Sequence, residues 1–244
     1  MYLDLIPRTA LLPVLAAQGL WCRMRAPILP EPTGPREGVV GAGPDLSLLV
    51  IGDSSAAGVG AATQDEALLG QILARLSPHA RLRYRLQARV GARTGDLLAL
   101  MDELPRERYD IVVTGFGVND LTKLVPMRRW LAQQEVLLRR FREDHGTRCF
   151  VISGLPPVDQ FPLLPQPLRW ALGLQARRYE RYQRRAMEAH PDCLSIRVDT
   201  RLGPHNMSPD GYHPGPTVYA EWAEAIAQGV LRCQGLLDRR DGAA

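Results

Sequence analysis

The sequence predicts an α/β protein, a three-layer α/β/α sandwich with a five-stranded parallel sheet between its helices. Three observations carry this. Short unbroken apolar runs alternate with longer segments of helical periodicity from residue 46 to 232. Turn residues bound those runs, as expected of strands buried on both faces. Regular alternation of strand and helix is the pattern of a parallel sheet covered on both sides. At 244 residues and 45% hydrophobic, the chain can build one sizeable core.

Residues 1–44 precede the first such strand. The stretch LIPRTALLPVLAAQGLW, 5–21, is apolar enough to suggest the core of a signal peptide. Against that, Arg8 is the only early positive charge, Pro13 interrupts the run, and no small-x-small cleavage site follows. The run is too short and broken to span a bilayer. It reads as a helix packed on the domain, with the alternative that residues 1–25, flanked by Trp21, Arg23 and Arg25, contact a membrane surface. Residues 26–44 are rich in Pro and Gly and read as an extended connector. The domain proper is expected over 45–244.

Within it, LSLLVIG (46–52) is the first strand. Thr63-Gln64-Asp65-Glu66 has capping-box spacing before a helix through Leu76. RLRYRLQ (81–87) alternates arginine with Leu82, Tyr84 and Leu86, a strand with one polar face near a sheet edge. Thr94 can cap a helix that Pro105 ends. YDIVVTGFG (109–117) and TRCFVISG (147–154) are buried strands around an amphipathic helix over 127–143. A Pro-rich loop, 155–167, carries Phe161, Leu163 and Leu164; it can serve as an apolar wall for an acyl or aryl group, or simply as a stiff lid. A long helix over 168–190 presents Arg177 to Arg185, read as a solvated face. CLSIRVD (193–199) is the fifth strand, and a proline-rich loop leads to a last helix over 218–232.

The net charge of +4 is mild, acidic residues nearly balance basic ones, and Lys123 is the only lysine, so no nucleic-acid partner is expected. Cys22, Cys149, Cys193 and Cys233 are too dispersed for a metal knuckle or a redox pair. They read as buried free thiols in a reducing compartment, which points to the cytoplasm.

In open parallel sheets, ligands sit beyond the carboxyl ends of the strands. Successive predicted strand ends carry Asp53-Ser54, Gly91, Asn119-Asp120 and Asp210-Gly211-Tyr212-His213. These types suit acyl transfer. A serine hydroxyl needs a base, here His213, and the imidazole needs an acceptor, here Asp210, to hold its tautomer. The developing oxyanion needs donors, for which the backbone N–H groups of Ser54 and Gly91 and the amide of Asn119 qualify. The competing reading is a phosphate- or mononucleotide-binding module, with Ser54-Ser55-Ala56-Ala57-Gly58 as a cradle and no task for His213.

The blocks Gly52-Asp53-Ser54, the glycine of VGARTG, Gly117-Val118-Asn119-Asp120 and Asp210-Gly211-Tyr212-His213-Pro214 resemble, in order and spacing, the four motif blocks of the SGNH hydrolases, the GDSL esterase/lipase superfamily. The resemblance covers roughly 46–234. It implies a flavodoxin-like fold, Ser54 as nucleophile, Asp210 and His213 as its partners, and an oxyanion hole of Ser54, Gly91 and Asn119. It further implies hydrolysis of small-molecule esters of short to medium acyl chains, thioesters and lysophospholipids included as candidates, without metal or cofactor. Ser55 stands where the family name has Leu, Ala57 replaces a common Thr, and Gln87 and Arg89 occupy the neighbourhood where an Asn often precedes the second block's glycine. Asp53 is expected to hydrogen-bond structurally, with Asp120 and His205 as supporting loop residues; His79, His145 and His190, near helix ends, are given no chemistry.

Overall fold

The computed structural model describes residues 11–197 and 200–241; Val198 and Asp199, assigned above to the fifth strand, and residues 1–10, part of the expected membrane-contact segment, lie outside them. The strands are β1 (Glu37–Val40), β2 (Asp45–Gly52), β3 (Arg81–Ala88), β4 (Ile111–Gly115), β5 (Cys149–Ser153) and β6 (Cys193–Ile196). They form one sheet in the order β1-β3-β2-β4-β5-β6. The five strands expected from the sequence are present and parallel. The sixth, β1, comes from the Pro/Gly-rich connector and runs antiparallel to β3.

The helices are α1 (Leu12–Arg25), α2 (Ser54–Ala57), α3 (Leu68–Leu76), α4 (Thr94–Asp102), α5 (Val118–Thr122), α6 (Met127–His145), α7 (Leu168–Met187) and α8 (Pro216–Asp241). Side chains alternate across a strand, and β2 uses both faces. Leu46, Leu48 and Val50 pack with Leu68, Leu69, Ile72 and Leu76 of α3 and Tyr219, Ala223, Ile226 and Val230 of α8. Leu49 and Ile51 point the other way, into Leu97, Leu100 and Met101 of α4 and Leu137, Leu138 and Phe141 of α6. Leu48 to Ile51 are fully buried. At about 1.5–3 kcal/mol for each side chain removed from water, this strand anchors both layers of helices to the sheet. A third cluster, with Trp130, Phe161, Tyr179, Leu202, Met207 and Val218, lies under the loops.

The arginine face of β3 is held by exposed or half-exposed ion pairs: Arg85 with Glu37 and Glu107, and Arg81 with Asp45. Each contributes about 1 kcal/mol or less. Their use is in register, since Glu37 sits opposite Arg85 across the β1–β3 ladder.

Three local expectations fail. Thr63–Glu66 forms turns rather than a capping box; α3 starts at Leu68, and Glu66 instead accepts the amide of Ala62. Thr94 is the first residue of α4 rather than its cap. The amide of Arg93 is held by Asp96, while the Thr94 hydroxyl is turned inward to Asp120. Cys149 and Cys233 are not free thiols but form a disulfide between β5 and α8, leaving Cys22 and Cys193 free. The reducing-compartment reading loses its support at that bond, because structural disulfides persist in oxidising surroundings. Among the described residues no helix is long and apolar enough to cross a membrane.

Candidate active site

The ends of β3, β2 and β4 are level: Gly52 pairs with Ala88 on one side and Gly115 on the other. A Cβ on Gly52 would lie 2.1 Å from the Gly115 carbonyl oxygen, so only glycine fits where the chain leaves the sheet. The next amide, of Asp53, still donates to Gly115 at 3.0 Å. Asp53 then caps α2 through the Ser55 amide at 3.0 Å, and this turn presents Ser54 at the rim. Ala56 and Ala57, fully buried behind it, let α2 lie close against the sheet.

The loop before α8 brings the imidazole to that serine. Nε2 of His213 lies 2.9 Å from Ser54 Oγ, across a separation of 159 residues. Its Nδ1 lies 2.5 Å from Asp210 Oδ2. Asp210 is fixed by its other oxygen, which accepts the amides of Tyr212 and His213, each at 2.9 Å. The Ser208 hydroxyl is 2.9 Å from the same oxygen and 2.8 Å from the His213 carbonyl. Burial raises the Asp210 pKa, but the hydrogen bonds from the His213 ring and the two amides outweigh it and leave it lowered to about 2. Asp210 is therefore an anion at any pH near neutrality. With Nδ1–H held by that anion, the lone pair on Nε2 faces the Ser54 hydroxyl. Tyr212 braces the ring, packing edge-on against His213 and against Phe161.

Asn119, in α5, donates from Nδ2 to Asp53 Oδ2 at 3.3 Å. An amide nitrogen has two hydrogens, so the second is left for a ligand. Asp53, 3% exposed, has its pKa raised to about 6, chiefly by burial, against the lowering contacts of the Ser55 amide, His213 and Asn119.

Gly91 lies beyond β3 with φ 75° in a turn that leaves its surroundings open. It is not part of the cavity lining that Ser54 and Asn119 share. Its loop is nevertheless tied to Asn119's helix. Asp120, fully buried, accepts both the amide and the hydroxyl of Thr94, and Lys123 donates to the Gly91 carbonyl at 2.6 Å. Burial raises the Asp120 pKa; the Thr94 contacts act against it. Of the residues expected at the site, Ser54, His213, Asp210 and Asn119 are gathered, and Gly91 stands apart. Ser208 and Thr94 were missed, and nothing in their local sequence marks them; Lys123 was missed too, although a solitary lysine three residues past a strand-end motif is a signal.

A cavity of about 70 Å³ opens at Ser54. Phe116, Leu155, Pro157, Phe161, Tyr212 and Trp222 supply much of its wall. The Pro-rich loop thus contributes a wall, through Leu155 to Phe161, while Trp222 is held by Ser153 at 3.0 Å. An alcohol, an imidazole and a carboxylate in hydrogen-bonded series, beside an amide donor and an apolar recess, can move a proton and seat an apolar group.

Known proteins match this description. The sequence profile of the GDSL-like lipase/acylhydrolase family matches residues 50–221, a span that includes Ser54, Gly91, Asn119, Asp210 and His213. A GDSL-like esterase of Mycobacterium tuberculosis is 28% identical over 193 residues, 75% of this chain and 60% of that relative. The chain thus spans less than two thirds of that relative's length. Among solved structures, a carbohydrate esterase family 2 enzyme with a carbohydrate-binding domain, from Corynascus thermopiles (Myceliophthora fergusii), superposes with a TM-score of 0.61 at 17% identity. That match covers 84% of this chain and 69% of the enzyme. A lipase from a goat rumen metagenome gives 0.60 at 19% identity, covering 74% and 95%. An acetylxylan esterase from Geobacillus stearothermophilus gives 0.56 at 18%, covering 78% and 94%. At these identities the structural likeness bears on the fold.

Proposed function

The chain belongs to the GDSL-like lipase/acylhydrolase family, and from that premise we propose that it is a serine esterase acting through an acyl-enzyme. The observation that carries the reading is the hydrogen-bonded series Ser54–His213–Asp210. His213 takes the Ser54 proton as Oγ attacks the ester carbonyl. It then returns that proton to the leaving alcohol and activates a water for deacylation. Asp210 holds the tautomer and offsets the charge of the imidazolium. The oxyanion is met by the free N–H of Asn119 and the Ser54 amide, with the Gly91 amide as a candidate third donor on the loop tied to Asn119's helix; each donor is worth about 3–4 kcal/mol of barrier.

The substrate is a carboxylic ester of short to medium acyl chain. The cavity takes about five water-sized groups, and its aromatic and proline wall suits methylenes rather than a phosphate. A phosphate cradle also has no use for the His213–Ser54 contact.

A series of p-nitrophenyl esters tests the proposal. We expect kcat/KM to rise about fourfold per added methylene, to level off near five or six carbons, and Ser54→Ala to lose turnover by about 10⁵-fold or more. Turnover that survives Ser54→Ala would overturn the mechanism; a steady fall beyond acetate would overturn the acyl-pocket assignment.

A further inference from the structure

Helix α1 carries an apolar face that nothing in the chain covers among the described residues. Its inner side is short: Leu15 and Cys22 pack toward the cluster under the loops, and Gln18 bonds the Gln166 carbonyl and the Leu168 amide. At 100° per residue, the remaining arc of about 200° holds Leu12, Pro13, Val14, Ala16, Ala17, Leu20, Trp21 and Met24. Leu12, Leu20 and Met24 are 58%, 59% and 70% exposed, and Trp21 is 44% exposed. Soluble surfaces rarely gather so many large apolar side chains on one face. Ile28, just past the helix, is 99% exposed. Trp170, two residues beyond the Leu168 amide that grips Gln18, is 43% exposed.

Charge identifies what covers this face. Arg23 and Arg25 project near its two margins in the last turn, and the Arg25 guanidinium lies over the Trp21 ring at 5.7 Å. No acidic residue occurs from Leu11 to Leu29. An apolar arc with an interfacial tryptophan and arginines at its borders complements the acyl boundary and anionic headgroups of a bilayer. Over the described residues the helix is 14 residues long, about 21 Å, too short to cross the hydrocarbon layer, a length suited to lying in the interface plane.

We infer that α1 docks the protein on an anionic lipid surface. The dock is wired to the site. Cys22 Sγ approaches the Leu163 carbonyl, and the Leu163 amide donates to the Gly211 carbonyl, between Asp210 and His213. Seating α1 therefore bears on the Pro-rich loop that walls the cavity. The docking itself does not depend on the hydrolase reading.

The test is co-sedimentation of the full chain with vesicles of phosphatidylcholine alone or with about a quarter phosphatidylglycerol. The wild type should bind the anionic vesicles preferentially. Leu20→Glu with Met24→Glu should weaken binding about tenfold or more, and Arg23→Ala with Arg25→Ala should remove the anionic preference. Turnover of soluble p-nitrophenyl acetate, where the wild type has it, and the melting curve should be unchanged in these variants. Failure of the wild type to bind, or undiminished binding by the Glu variant, would overturn the inference. So would a dimer in light scattering that the Glu variant converts to monomer, since the face would then belong to a second copy. Should the Glu variant not fold, quenching of wild-type fluorescence by lipids brominated on their acyl chains decides the question: quenching must fall in Trp21→Phe, and equal quenching refutes the dock.

Discussion

Asp53 shows how much of this site rests on a residue that positions others, holding the Ser55 amide and Asn119. It is a buried carboxylate with one oxygen on the Ser55 amide and the other on Asn119, and its pKa is raised to about 6. A raised carboxylate pKa means that the folded state holds a proton between about pH 4 and 6 that the unfolded chain has released. Stability from this group is therefore lost as pH rises through that window and stays lost above it. Asn at this position carries no charge to bury. The stability advantage of Asp53→Asn over the wild type should grow by about 2 kcal/mol between pH 4 and pH 7, read by urea unfolding at both. The same variant offers Asn119 a donor where it had an acceptor, so kcat should fall, by up to about a hundredfold. A stability difference that does not change with pH would mean that the carboxylate is not buried as an ion. Ser54, Asp210, His213 and Asn119 were legible because motif and strand-end position coincide. Ser208 and Thr94 were not, since a hydroxyl's partner is decided by which loops meet and not by its neighbours in sequence.

Among the elements, β2 and β4 could be read directly, because strands buried on both faces must be apolar throughout. β1 could not. Glu-Gly-Val-Val among glycines and prolines has no strand signature of its own; pairing with β3 makes it one, through the register that sets Glu37 against Arg85. The start of α3 was misread for a related reason: Thr63 and Glu66 have the right spacing, but the Thr63 carbonyl is spent on the Glu66 and Ala67 amides in a turn. The link between β5 and α8 was equally hidden, as Cys149 and Cys233 are 84 positions apart. A loop of that length implies about 4–5 kcal/mol of stabilisation in the chain-entropy picture. Cys233→Ser should lower the unfolding free energy by about 2–4 kcal/mol, and dithiothreitol should lower the melting temperature of the wild type but not of the variant. Equal melting curves with and without reductant would count against the bond.

At the scale of the molecule, the boundary expected at residue 45 falls between β1 and β2. A fragment of residues 45–244 would retain every residue proposed to do chemistry but expose the edge of β3, taking Glu37 from Arg85 and leaving ladder groups unpaired. We expect it to melt at a lower temperature than the full chain and to associate at high concentration, which light scattering and calorimetry would register; a fragment as stable and monomeric as the parent would make β1 dispensable. The order of parts along the chain has another consequence. The proposed nucleophile, Ser54, is translated early, with the first long strand, while the proposed base and its carboxylate, His213 and Asp210, arrive only with the loop that precedes the final helix. On that assignment a growing polypeptide threaded from the ribosome would carry an inert serine until its last fifth emerges and docks. The proposed activity would be withheld during synthesis simply by where the imidazole is encoded.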